Sequence, residues 1–268
     1  MRALQHRQRH PAHRGQQSQH PADDLGLGGE ARYAYEKYDA RFDLSKEPNE
    51  PNRHGWVTEI NPADPTSVPV KHSALGRFKH ENAEMVQAAD GRIVVYMGDD
   101  ERGEFLYRYV SNGTWAEGQP TDGLLSDGTL YVAKFNDDGT GAWLELSPSN
   151  PALSTWTLDK ILVYTRMAAD VVGATKMDRP EWVAASKSGE MYMTLTNNTQ
   201  RGTVGKADVN KANPTKVNTY GHIVRWKDAN QHLGTLFAWD IFLFGAEEDS
   251  GDANLSGLSA KNAFSSPD

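Results

Sequence analysis

The 268-residue sequence contains no cysteine. That excludes disulfides and thiolate ligands from within the chain and leaves its redox compartment open. Long apolar runs are missing as well: no stretch approaches a membrane span, and no signal-peptide core follows Met1. Positive charge is in deficit. A formal net charge of −8 argues against a general nucleic-acid binder and only weakly favours cation binding. Hydrophobic residues reach 38% and mean hydropathy is −0.67, so the chain is rather polar, yet long enough for one large or two small cores. Helical periodicity is scarce, whereas 24 glycines and 13 prolines suit a turn-rich β architecture.

Residues 1–32 differ from the rest. Arg2, His6, Arg7, Arg9, His10, His13, Arg14 and His20 stand among Gln, Pro and Gly with almost nothing to bury. The segment reads as a disordered leader, or as an artefact of where the reading frame was taken to begin. From Tyr33 onward, Trp56–Ile60, Glu104–Val110, Thr129–Phe135, Ala142–Leu146, Tyr220–Trp226 and Thr235–Phe244 alternate as strands. Ser111-Asn112-Gly113 and Asn136-Asp137-Asp138-Gly139 read as turns between them. One helix is predicted, near residues 158–172. Thr157 is its cap, Leu158, Ile161, Leu162, Thr165, Ala168, Val171 and Val172 share a face, and Gly173 closes it.

One unit occurs twice. Met85-Val86-Gln87-Ala88-Ala89, a turn at Asp90-Gly91 and Arg92–Met97 lead to Asp99-Asp100; Val183-Ala184-Ala185, a turn at Ser188-Gly189 and Glu190–Leu195 lead to Asn197-Asn198. Placing Gly91 on Gly189 aligns the two without a gap. Glu81 lies ten residues before its turn glycine and Glu181 eight before its own. Both offsets are even, so with regular pairing the two carboxylates project to one sheet face. Repeated hairpins with acids on a common face suggest blades around a shared axis. Pro180 is expected to hold Arg179 extended at the hairpin mouth.

Each candidate also has a plainer reading. Glu81 could be a solvated strand-end acid, and Arg179 with Glu181 a surface ion pair worth little. Asp99, Asp100, Asn197 and Asn198 follow apolar strands, where Asp and Asn commonly make turns; Asp100 and Asn198 are outside candidates for lining the axis. His222 reads as a packed or hydrogen-bonded histidine. The acidic run Glu247–Asp252 reads as a solvated loop, because it lacks EF-hand spacing.

The sequence resembles the PhoX-type alkaline phosphatases. The segments that carry the resemblance are Glu47-Pro48-Asn49-Glu50-Pro51-Asn52-Arg53-His54-Gly55-Trp56, Gly76-Arg77-Phe78-Lys79-His80-Glu81, Met97-Gly98-Asp99-Asp100, Asp178-Arg179-Pro180-Glu181, Thr196-Asn197-Asn198, Gly221-His222-Ile223 and Ser266-Pro267-Asp268. They run in order from about residue 38 to the end. The resemblance implies an all-β fold, a six-bladed β-propeller in the complete family. This chain would be an incomplete portion, its central blades at residues 33–268, truncated at both ends. It also implies calcium and iron at the axis, with Glu81, Glu181 and Asp268 falling where metal ligands lie and Arg179 where an arginine contacts phosphate. The implied substrate is a phosphate monoester, and the implied location periplasmic or secreted.

The departures from the family are equally specific. Its iron-ligating cysteine has no counterpart here, and the twin-arginine export signal is missing. The expectation is therefore a piece of a metal-dependent phosphomonoesterase, inactive alone, with unpaired strand edges. The alternatives are a non-catalytic propeller segment binding calcium or a partner, and another propeller hydrolase of lactonase or phytase type.

Overall fold

The structure, a computed structural model, describes residues 33–247 and 264–268. The predicted leader and the acidic run beyond Glu247 lie outside the described residues. The chain divides into two compact units, Met1–Pro51 and Asn52–Asp268. In the first, two short 3₁₀ turns, Tyr35–Lys37 and Ala40–Phe42, are tied locally: the Asp39 side chain accepts the Arg41 amide, and Tyr35 packs on Phe42.

The second unit is mostly β. A two-residue ribbon pairs β1 (Thr58–Glu59) with β2 (Val70–Lys71), shorter than the predicted strand at residues 56–60. The other strands are β3 (Glu84–Gln87), β4 (Arg92–Gly98), β5 (Leu106–Thr114), β6 (Gly128–Phe135), β7 (Thr140–Glu145), β8 (Pro180–Ala185), β9 (Glu190–Leu195), β10 (His222–Asp228) and β11 (Leu236–Phe244). They form one antiparallel nine-stranded sheet, ordered β3-β4-β5-β6-β7-β11-β10-β9-β8. Two meanders, β3–β7 and β8–β11, are thus joined edge to edge where β7 meets β11 through Leu236↔Ala142, Phe237↔Gly141 and Ala238↔Thr140.

The repeat read from the sequence is a repeat of register. Met85 pairs with Val95 and Val183 with Met193; Gln87 pairs with Ile93 and Ala185 with Met191. Gly91 and Gly189, at φ 93° and 80°, make the two turns in a region open to glycine. The predicted turn at Ser111-Asn112-Gly113 is instead strand. The Ser111 hydroxyl takes the Ile93 amide and donates to the Gly113 carbonyl, so a bulge carries β5 on to Thr114.

The run Ile93-Val94-Val95-Tyr96-Met97 is apolar throughout because β4 is buried on both faces. Ile93, Val95 and Met97 join Tyr107, Leu130 and Val132 in one core cluster, which the helical segment covers through Ile161, Ala168 and Ala169. Val94 and Tyr96 join Leu106, Phe135, Met193, Val224 and Trp226 in the other, so the two meanders face each other across it.

The sheet curls until its two ends lie side by side, and side chains close the seam. The Asn82 amide donates to the Val183 carbonyl at 2.8 Å and accepts the Val183 amide at 3.0 Å, while Glu84 accepts the Ala185 amide. The expected bare edge is thus covered in part at β8, where the Val183 amide and carbonyl and the Ala185 amide find polar partners. Asn82→Ala removes both bonds and leaves two backbone groups unpaired at the seam. Urea denaturation is expected to show a loss of about 1–3 kcal/mol.

The predicted single helix is two: α1 (Leu158–Val163) and α2 (Thr165–Val172), broken at Tyr164 (φ −108°, ψ 47°). The cause is Arg77. Its amide bonds the Leu162 carbonyl and its guanidinium the Val163 carbonyl, occupying acceptors that a continuous helix would have used. Gly173, at φ 77°, ends α2 as expected.

Candidate functional site

Four segments deliver acidic side chains to one place. Glu81 precedes β3, its amide bonded to the Gly98 carbonyl. Asp100 follows β4, and its amide is held by the Lys79 carbonyl. Glu181 is the second residue of β8. Carboxylate oxygens of Glu81, Asp100 and Glu181 lie within 4.8 Å of one another, with Glu81 exposed, Asp100 half-buried and Glu181 buried. Asp268 is not one of the three whose oxygens converge, but it stands close enough to act on both Glu181 and Glu81.

Arg179 spans the group. Its Nε stands 2.8 Å and its Nη2 2.9 Å from the two Asp100 oxygens, and Nη2 is 3.2 Å from Glu181 Oε1. Its expected extended backbone is corrected: Arg179 is left-handed, at φ 56°. Two pairings force that turn. The preceding segment is zipped to the loop after β4 through Arg102↔Asp178 and the bond from the Gly103 amide to Met177 O. The next residue, Pro180, already pairs with Leu195. A non-glycine residue held this way stores on the order of 1–3 kcal/mol.

The even-offset argument reached the right neighbourhood through a premise that fails. Glu181 sits where the β8–β9 register slips, between Pro180 and Val183, and Glu81 lies outside the β3 ladder. The carboxylates meet because β4 and β8 approach closely at Gly98, where an added Cβ would stand 2.3 Å from the Glu181 carbonyl oxygen. Of the two outside candidates, Asp100 is at the centre. Asn198 is turned away: it is buried, with its amide 2.8 Å from Asp178 Oδ1. His222 is packed as expected, bonded to the Ala212 carbonyl and to Asn218.

The electrostatics follow from crowding. Burial, the hydrogen bond with Asp268 and the charges of Asp100 and Asp268 push Glu181 up to about 8, against the opposing pull of Arg179. Glu81 is raised by burial and by the same two aspartates. Burial would weaken Arg179 as a base, but Asp100 and Glu181 more than offset that and hold it protonated. One guanidinium does not balance the converging carboxylates, so Glu81 and Glu181 hold protons more tightly than ordinary glutamates.

Sequence reasoning missed two buried ion pairs beside this group. Asp99 is bound by Arg166 of α2, whose Nε lies 2.7 Å from Asp99 Oδ2. Asp178 Oδ1 receives Arg201 Nε at 2.7 Å, and neither side chain is exposed at all. Asp and Arg at these positions carry no periodic signal, and only the fold brings the partners together.

Fold and site together define a mostly β protein that gathers oxygen donors and one arginine at the seam of a curled sheet. The chain belongs to the PhoX alkaline phosphatase family: the family model described as alkaline phosphatase PhoX matches residues 10–268. The match reaches upstream of Glu47, the first residue of the segments that carry the resemblance. Among solved structures the chain is similar to Pseudomonas fluorescens PhoX in complex with vanadate, a transition state analogue. Identity is 43% and the TM-score 0.86, over 95% of this chain and 47% of that one. The chain thus spans about half the length of that protein. No curated protein matches.

Proposed function

We propose that this chain supplies one side of the active centre of a metal-dependent phosphomonoesterase, built on part of a β-propeller whose blades correspond to the two meanders. The observation that carries the reading is the convergence of Glu81, Asp100 and Glu181 within 4.8 Å, with Arg179 alongside. The family and its vanadate-bound member agree with it.

Glu81, Asp100, Glu181 and Asp268 fit a hard cation, because an all-oxygen donor set suits calcium, or ferric iron, better than soft metals. No residue of this chain offers the thiolate the resemblance implies for iron, so calcium is the better match to these four. A bound cation would polarise a phosphoryl oxygen and lower the pKa of an attacking water. Arg179 presents its fork at the rim of the cluster, where it can neutralise phosphoryl oxygens by paired hydrogen bonds. Glu181, with its raised pKa, can hold a proton that binding expels. A phosphate monoester is favoured over a lactone by family membership.

The test is metal content by mass spectrometry, beside p-nitrophenyl phosphate hydrolysis with Ca²⁺ and Fe³⁺ added. The comparison protein carries Glu81→Gln and Glu181→Gln. The expected result is bound calcium in the parent, lost in the variant, with no turnover by the 268-residue chain alone. A parent that takes up no metal overturns the reading of the site.

A further inference from the structure

Asp100 and Arg179 share an arrangement. Each follows an aspartate that is completely buried, and each of those aspartates is clamped by an arginine from elsewhere in the chain. Asp99 accepts Arg166 Nε at 2.7 Å and the Lys79 amide at 3.2 Å. Asp178 accepts Arg201 Nε at 2.7 Å, Asn198 Nδ2 at 2.8 Å and Asn218 Nδ2 at 3.0 Å. Arg201 is fixed in turn by the carbonyls of Asp208 and Lys176, at 2.8 and 2.9 Å. The two steps are also joined to each other. Met177 donates its amide to Glu104 O and accepts the Gly103 amide, so the loop after β4 and the approach to β8 form one small ladder with a clamp at either end.

Buried ion pairs contribute little net stability, because desolvation offsets their attraction, but they fix geometry where a unique arrangement is needed. Here the geometry they fix is that of their neighbours. A side chain following a locked residue has its direction set by the backbone, and Arg179 holds a left-handed φ of 56° that its surroundings must enforce.

We propose that Arg166 and Arg201 are positioning residues for the carboxylate–arginine site: through Asp99 and Asp178 they lock the two backbone steps from which Asp100 and Arg179 project. The ion-binding consequence rests on the cation reading above; the positional one does not. Both act through an aspartate next to a member of that site.

The test replaces the charged side chains by uncharged ones of similar size: Asp99→Asn with Arg166→Met and Glu104→Gln, because buried Glu104 also faces Arg166 at 3.7 Å, and Asp178→Asn with Arg201→Met, so that no lone buried charge remains. A third variant, Asp228→Asn with Arg108→Met, neutralises a buried pair that joins β5 to β10 and has no member of the cluster as partner. Crystal structures of the metal-free proteins give the first readout. In the two clamp variants the contact between Arg179 and Asp100 is expected to be lost, and in the Asp178 variant Arg179 leaves the left-handed region. In the third variant both features persist.

Calcium titration calorimetry gives the second readout. Affinity is expected to fall about tenfold or more in the clamp variants and less than twofold in the control, at matched thermal midpoints. Clamp variants that keep the Arg179–Asp100 contact and the left-handed Arg179 overturn the proposal, whatever they bind. A parent that binds no calcium, with clamp variants that do rearrange, refutes the cation reading and leaves the clamps standing. Equal losses of affinity in all three variants reduce the clamps to general stability and also overturn it.

Discussion

Gly98→Ala is expected to separate β4 from β8 and dismantle the site. The new Cβ would stand 2.3 Å from the Glu181 carbonyl oxygen, 2.7 Å from that of Pro180 and 2.9 Å from the Pro180 carbonyl carbon. All three are backbone atoms, so no side chain can rotate away. The cost is steric, since the Gly98 backbone is not among the glycines with positive φ. Relief requires the two strands to move apart, which breaks the seam made by Asn82 and removes Glu181 from Asp100. Overpacking of this kind costs about 3 kcal/mol or more. Gly118→Ala is the comparison: nothing lies within 4 Å of its Cβ, and only its φ of 81° opposes the change, for about 1 kcal/mol. Urea denaturation and calcium calorimetry read both variants. A Gly98→Ala protein within 1 kcal/mol of the parent, with its ion affinity intact, would show that the close approach does not hold the site together.

The second large effect is a pH dependence of the metal-free chain. Glu181 is pushed up to about 8 in the folded state and has an ordinary value of 4.5. Between those values the folded chain binds more protons than the unfolded one, so this group makes stability fall as pH rises from about 4.5 to 8. The raised pKa of Glu81 acts in the same sense. After allowance for solvent screening, the fall is on the order of 2 kcal/mol. Glu181→Gln is expected to flatten it. His80 works the other way, since burial lowers its pKa to about 4 and stability from it is lost as pH falls below its ordinary 6.5. Taking the difference between parent and Glu181→Gln removes that opposing contribution. Thermal melts in a chelator from pH 5 to 8.5 check the sign. A parent whose stability rises relative to the variant across this range would contradict the crowding of the carboxylates. Calcium is expected to reverse the trend, binding more tightly as pH rises, because its entry displaces the proton held by Glu181.

The hairpin repeat was legible because it is a local pattern: alternating apolar residues around Asp90-Gly91 and Ser188-Gly189 fix turn and register together. Glu81, Glu181 and Arg179 were singled out by their positions at hairpin mouths, and the structure brings all three to one place. Asp100 reads from the sequence mainly as a turn residue, since an aspartate after a strand ordinarily is one, yet its carboxylate meets those of the two glutamates. Asn198, which the repeat aligns with Asp100, braces Asp178 instead. The helix prediction captured the right apolar face. It missed the break at Tyr164 because Arg77, the residue that takes the helix carbonyls, is remote in sequence.

What the sequence determines by itself is what neighbouring residues decide: the β class, the turns, the repeated hairpin and the absence of any thiolate. What only the tertiary structure decides is which distant groups meet. The nine-stranded curl, the seam at Asn82, the approach at Gly98 and the clamps at Asp99 and Asp178 join residues as much as 101 positions apart. The physical reason is that a strand pattern specifies faces and partners within a hairpin but not where one meander packs against another. That packing turns two separated glutamates and an aspartate that reads chiefly as a turn residue into one charged site.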